Sequence, residues 1–113
     1  MAGVTDSPFR ALCQQLGADL TITEMVKAQS IHHTSDAPSR LTPLPGEHVM
    51  WVQIVGNHPQ IMAHAAQHCV SSGADLIDVN MGCPAKKFAR KPAGSALLAD
   101  PGMIREILDA VTG

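Results

Sequence analysis

Aromatic side chains are scarce in this chain, whose 113 residues hold one Trp, two Phe and no Tyr. Trp51, Phe9 and Phe88 are too few and too scattered for a platform that stacks successive bases of single-stranded nucleic acid. Charge of either sign is modest, at 16% of residues with a formal net charge of −2, so overall charge cannot draw the protein to a polyanion. A local patch could, and Lys86, Lys87, Arg90 and Lys91 supply one. Three widely spaced cysteines, an odd number, speak against a disulfide framework and for a reducing compartment, the cytoplasm by default. No apolar run approaches the roughly 18 residues that cross a bilayer, and no signal peptide opens the chain. Internal repeats and low-complexity tracts are missing as well.

What is present is alternation of strand and helix signals, at a hydrophobic content of 45%. Met1-Ala2-Gly3-Val4 reads as the end of a strand. Asp6 or Ser7 caps a helix with Pro8 in its first turn and Phe9, Leu12, Cys13 and Leu16 on one face; Gly17 ends it. Leu20-Thr21-Ile22-Thr23 reads as a strand ending at Glu24-Met25. Residues 27–48 carry three prolines and read as a short helix plus loop. Val49–Val55 is a near-continuous apolar strand interrupted by Gln53. His58-Pro59 opens a helix to about Ser71, with Ile61, Met62, Ala65, Ala66 and Cys69 inward, and Gly73 stops it. Ala74–Val79 reads as a buried strand. Gly94-Ser95 begins a short helical piece at Ala96–Ala99, and Asp100-Pro101 caps a last helix over Met103–Val111. Apolar strands alternating with helices predict an α/β fold with a parallel sheet under helices. A closed eight-fold barrel needs about 250 residues, so the expectation is the first half of a (β/α)8 TIM barrel, filled by one partial domain over residues 1–113.

Chemistry concentrates in Asn80-Met81-Gly82-Cys83-Pro84. Gly82 permits a sharp turn and Pro84 fixes φ, so the Cys83 thiol is presented at a strand's C-terminal end, where α/β folds place their active sites. A thiol beside cations is a candidate acid or nucleophile. An isolated Cys more often fills a turn, and the setting is what reverses that preference. Gln53, a polar residue in an apolar strand, is either a ligand contact or a satisfied core amide. Asn80 is a contact or a turn former. Glu24, at the end of its strand, is a weaker site candidate that could equally pair with a lysine. His64 and His68 stand four residues apart beside Cys69, but no Glu completes a metalloprotease motif, and no metal is expected. Cys13 and Cys69 fall on apolar helix faces and read as core.

Four segments together carry a family resemblance: Met1–Asp6 with Pro8-Phe9-Arg10; Glu24-Met25; Val52-Gln53-Ile54-Val55-Gly56; and Asn80–Lys87 running into Gly94-Ser95-Ala96-Leu97-Leu98. In order and spacing the chain resembles the tRNA-dihydrouridine synthases, flavoenzymes that reduce uridines in tRNA, and among them most the bacterial B-type branch. The resemblance covers essentially the whole chain as an N-terminal fragment. It implies an FMN-binding barrel followed by a helical tRNA-gripping domain, with NADPH as reductant. Hydride would pass from reduced flavin to C6 of a flipped-out uracil, and Cys83 would protonate C5. Met1, Ala2, Gln53 and Asn80 would contact FMN, and Asn80, Lys86, Lys87 and Arg90 would contact the substrate uridine or the tRNA backbone. The family's second-half flavin contacts have no counterpart here, so the isolated chain is expected to bind FMN poorly and to be inactive. Two other readings stay open: a non-catalytic half-barrel that binds RNA, and another FMN barrel that reduces a small molecule.

Overall fold

The computed structural model describes residues 3–33, 41, 43, 45–46, 49–84 and 93–113, with the backbone alone at 32 and 33. Three strands, β1 (Val26–Lys27), β2 (Trp51–Val55) and β3 (Leu76–Val79), form a parallel sheet in chain order. Helix α1 (Ser7–Gln15) precedes β1. Helix α2 (Ala28–His33) follows it directly, and α3 (Pro59–Ser71) carries the chain from β2 to β3. A 3-10 helix (Gly94–Ala99) and α4 (Pro101–Thr112) complete the described elements. This α/β architecture, with sequential parallel strands linked through helices, is the connectivity with which a (β/α)8 barrel starts. Among the described residues no helix is long and apolar enough to cross a membrane.

The core lies between the sheet and α3. Val52 and Ile54 of β2 and Met62 and Ala65 of α3 are 0% exposed, and Ile107 of α4 closes the same cluster. Period-2 alternation therefore sends Gln53 to the opposite face. Its neighbour in the sheet behaves likewise: Ile77 and Val79 pack on the core, while Leu76 is 44% exposed. The expectation of a fully buried strand over Ala74–Val79 is corrected accordingly. Among the described residues β3 is the last strand of the sheet, and it buries one face.

Two further expectations change. The strand expected at Leu20–Thr23 shrinks to one parallel bridge, Ile22 to Trp51, and pairing resumes with Val26 opposite Ile54. Residues 22 to 26 thus take four steps where β2 takes three from 51 to 54, so one extra residue bulges between Thr23 and Met25. The Thr23 hydroxyl takes over part of the ladder there. It accepts the Gln53 N–H at 3.2 Å and donates to the Glu24 carbonyl at 3.0 Å. At the chain start, Gly3 and Val4 form a turn rather than a strand, with Gly3 at φ +80°; Met1 and Ala2 lie outside the described residues.

Helix α1 begins as expected, the Asp6 carboxylate accepting the Phe9 N–H at 3.0 Å, and Gly17 follows its end at φ +97°. Its inward residue, however, is Arg10, 1% exposed, whose guanidinium donates to the Thr5 carbonyl at 3.3 Å. Phe9, Leu12 and Leu16 face outward, and Cys13 is half-buried rather than core.

Candidate active site

Parallel register sets Gln53 of β2 beside Asp78 of β3 on the face away from Val52 and Ile54. The Gln53 Nε2 donates to the Asp78 carboxylate at 2.6 Å, a short, charge-assisted bond. Just past the end of β3, Asn80 is 7% exposed and spends its whole amide on the site. Its Nδ2 donates to Gln53 Oε1 at 2.9 Å and to Cys83 Sγ at 3.2 Å. Its Oδ1 accepts the backbone N–H groups of Gly82 at 3.2 Å and Cys83 at 3.0 Å, the turn that an Asn at a strand end favours. The turn-former reading of Asn80 is met, and the same side chain has a second role. It shapes the turn and touches the thiol.

The thiol itself donates toward Met25 Sδ at 3.7 Å. Met25 reaches it because the extra residue in the bulge shifts the side-chain alternation at the end of that segment. From the far side, Ser95 N–H donates to the Cys83 carbonyl at 2.9 Å. Gly94, at φ +64°, lies so close that a Cβ there would stand 2.5 Å from the same carbonyl oxygen. Cys83 is thus held by Asn80 and Met25 at its side chain and by the start of the 3-10 helix at its backbone. A cleft of about 450 Å³ opens over it, lined by Gln53, Asp78, Asn80, Gly82, Cys83 and Pro84 among others.

Among the described residues, Glu24 bonds to the N-terminal turn. Its carboxylate accepts the backbone N–H groups of Gly3 at 2.8 Å and Val4 at 2.9 Å, with the Thr5 hydroxyl at 3.4 Å. Burial alone would raise this carboxyl, but the backbone hydrogen bonds from Gly3, Val4 and Thr5 outweigh it and hold the group below its ordinary value. Glu24 therefore ties the N-terminal turn to the strand end that also presents Met25. Cys69 stands apart: fully buried in α3, its thiol is pushed up to about 11 by desolvation and is chemically quiet. No group of three His, Cys, Asp or Glu able to hold a metal occurs among the described residues.

The structure brings together Gln53, Asn80 and Cys83, three of the residues the sequence singled out. Met1, Ala2, Lys86, Lys87 and Arg90 lie outside the described residues. Asp78 and Met25 complete the constellation without having been named as site residues. The signal for Asp78 was a carboxylate inside an apolar strand, a placement that demands a partner. Whether the cleft suits a flavin can be asked of Gln53. After its two internal bonds the amide keeps one N–H and one lone pair, an adjacent donor and acceptor that match the C=O and N–H edge of an isoalloxazine. In its donor and acceptor set Gln53 fits such a group.

Comparison with known proteins adds an independent line. Residues 1–113 match the family described as dihydrouridine synthase (Dus). The tRNA-dihydrouridine synthase B of Vibrio parahaemolyticus is 51% identical over 112 residues, which is 98% of this chain and 35% of that protein. The proteins of the same name from Yersinia pestis and Escherichia coli K12 are 48% and 46% identical over the same length and shares. The chain therefore spans about a third of the length of these relatives.

Proposed function

Because the chain belongs to the dihydrouridine synthase family, we propose that it forms the first half of a (β/α)8 barrel that reduces uridine to 5,6-dihydrouridine in tRNA, with Cys83 as the proton donor. The observation that carries this reading is the Cys83 thiol itself, placed at the strand ends over a cleft and contacted by the same Asn80 amide that bonds Gln53. FMN, reduced by NADPH, supplies hydride to C6 of the uracil when bound. Gln53 would hold the isoalloxazine edge with its remaining N–H and lone pair, and Met1 and Ala2 would contact the same cofactor. Asn80 orients the thiol. As charge develops on C5 and the C4 carbonyl, Cys83 gives its proton to C5, and solvent restores the thiol afterwards. Lys86, Lys87 and Arg90, three to seven positions beyond Cys83 in the sequence, contact tRNA phosphates or the target uridine. Such an enzyme works in the cytoplasm.

Support against a purely RNA-gripping role comes from the thiol network, since phosphate contact needs the lysines and not a part-buried Gln–Asn–Cys chain. The test is a chimera in which residues 1–113 replace the matching 112 residues of the Vibrio parahaemolyticus relative, expressed in cells whose tRNA lacks dihydrouridine. Nucleoside mass spectrometry should find dihydrouridine restored by the parent chimera. Cys83→Ala should lower the rate by about 10²–10⁴-fold, the usual worth of a positioned acid, with tRNA binding intact. Equal dihydrouridine from both chimeras would overturn the assignment.

A further inference from the structure

Asp78 has no part in the reaction as described, yet it heads the chain of bonds that ends on the reactive sulfur. We infer that Asp78 is a positioning residue for Cys83: its carboxylate, acting through Gln53, selects the amide orientation of Asn80 that donates to the thiol. This inference rests on the reading of Cys83 as the site's working group.

An amide side chain can be turned either way, with nearly the same shape and opposite polarity. An ionised carboxylate removes that freedom because it only accepts. Facing Asp78 at 2.6 Å, Gln53 must present Nε2, which leaves Oε1 toward Asn80. That oxygen in turn only accepts, so Asn80 presents Nδ2, and the same nitrogen reaches Cys83 Sγ at 3.2 Å. Asn80 Oδ1 is then left for the N–H groups of Gly82 and Cys83. Reversing Gln53 would set its oxygen against the carboxylate, and reversing Asn80 would set donors against donors at the loop. The register that pairs Gln53 with Asp78 across β2 and β3 fixes the head of this chain in two strands.

Asp78→Asn keeps the shape but lets position 78 donate, so Gln53 can turn its Nε2 toward Asn80 and displace the amide from sulfur. Two effects then oppose each other. Removing a negative charge near a thiol favours the thiolate and speeds alkylation. Losing the Asn80 donor destabilises the thiolate and slows it. Positioning through the amides predicts slowing, by about tenfold or more for one hydrogen bond to a charged atom before the opposing charge effect is subtracted. The experiment follows iodoacetamide labelling of the Cys83 peptide by mass spectrometry in the 113-residue protein at fixed pH. Local unfolding would expose the sulfur and speed labelling, so slowing cannot arise from lost structure. Gln53→Met, near-isosteric and without an amide, should slow labelling similarly although the Asp78 charge remains. The double variant should add nothing further. Labelling of Asp78→Asn at or above the parent rate in a folded protein, or of Gln53→Met at the parent rate, overturns the inference. If Asp78→Asn does not fold, Gln53→Met decides alone. Because labelling needs neither flavin nor turnover, failure here leaves the proposed reaction standing. Failure of the Cys83→Ala chimera would not alter the labelling result.

Discussion

Gly94 shows how a single residue can govern a thiol eleven positions away. Its φ of +64° disfavours any side chain, and a Cβ would meet the Cys83 carbonyl oxygen at 2.5 Å and the Cys83 Cβ at 3.3 Å. Both neighbours belong to the reactive residue, so relief of the clash must move Cys83 or the 3-10 helix. Gly94→Ala should lower stability by about 1–3 kcal/mol and change Cys83 labelling, measured by urea unfolding and by peptide mass spectrometry. Unchanged labelling would show that the helix, not the thiol, had moved. At this scale the site was largely legible. Gln53, Asn80 and Cys83 stand out because each is polar where its surroundings are apolar or tightly turned. Asp78 carries the same signal, a carboxylate in an apolar run, but only the register reveals that position 78 shares a face with Gln53. Met25 was hidden, being an ordinary core residue by type.

Among the elements, helices were read most closely, because their caps are local chemistry. Asp100 accepts the Met103 N–H at 3.0 Å at the start of α4, whereas His58 makes no side-chain cap bond at the start of α3. The two helices pack on one another, so they offer a matched pair of tests. Asp100→Ala should cost about 1 kcal/mol and His58→Asp should gain about 0.5–1 kcal/mol by supplying the missing cap, read as opposite shifts of the urea midpoint. The strand over Leu20–Thr23 was misread for a physical reason. Its residues have the right propensity, but an extra residue at Thr23–Met25 breaks the ladder, and the bulge depends on pairing with β2 that local sequence cannot display. The same bulge places Glu24 against the N-terminal turn, which gives the element a pH dependence. Glu24 titrates below its ordinary 4.5 in the folded protein, so it stabilises the fold above that unfolded value. The contribution is lost as pH falls through the lower folded value. Stability should therefore drop on acidification below about pH 5, and Glu24→Gln should flatten that slope while weakening hydrogen-exchange protection at Gly3 and Val4. An identical slope in both proteins would mean that Glu24 does not anchor the turn.

For the whole molecule, the question is how much of a cofactor site the three described strands can make. The described sheet is open, and among the described residues its cleft is lined by the ends of β2 and β3 and the Cys83 turn. Small-molecule sites enclose about 70–90% of their ligand, and a ligand lying across the exposed ends of two strands falls well short of that. Apolar surface tells the same story: Leu12 is 51% exposed, Leu16 80% and Leu76 44%, on α1 and on the outer face of β3. What the chain does provide is orientation, in a Gln53 amide whose polarity is already set. Orientation without enclosure gives specificity before it gives affinity. A titration of the 113-residue protein with FMN, followed by quenching of flavin fluorescence, should therefore show no saturable binding in the micromolar range, while the chimera with the Vibrio relative saturates there. Micromolar saturation by the chain alone, abolished in Gln53→Ala, would require a second copy or another part of the chain to close the cleft, and sedimentation at the same concentrations would separate the two.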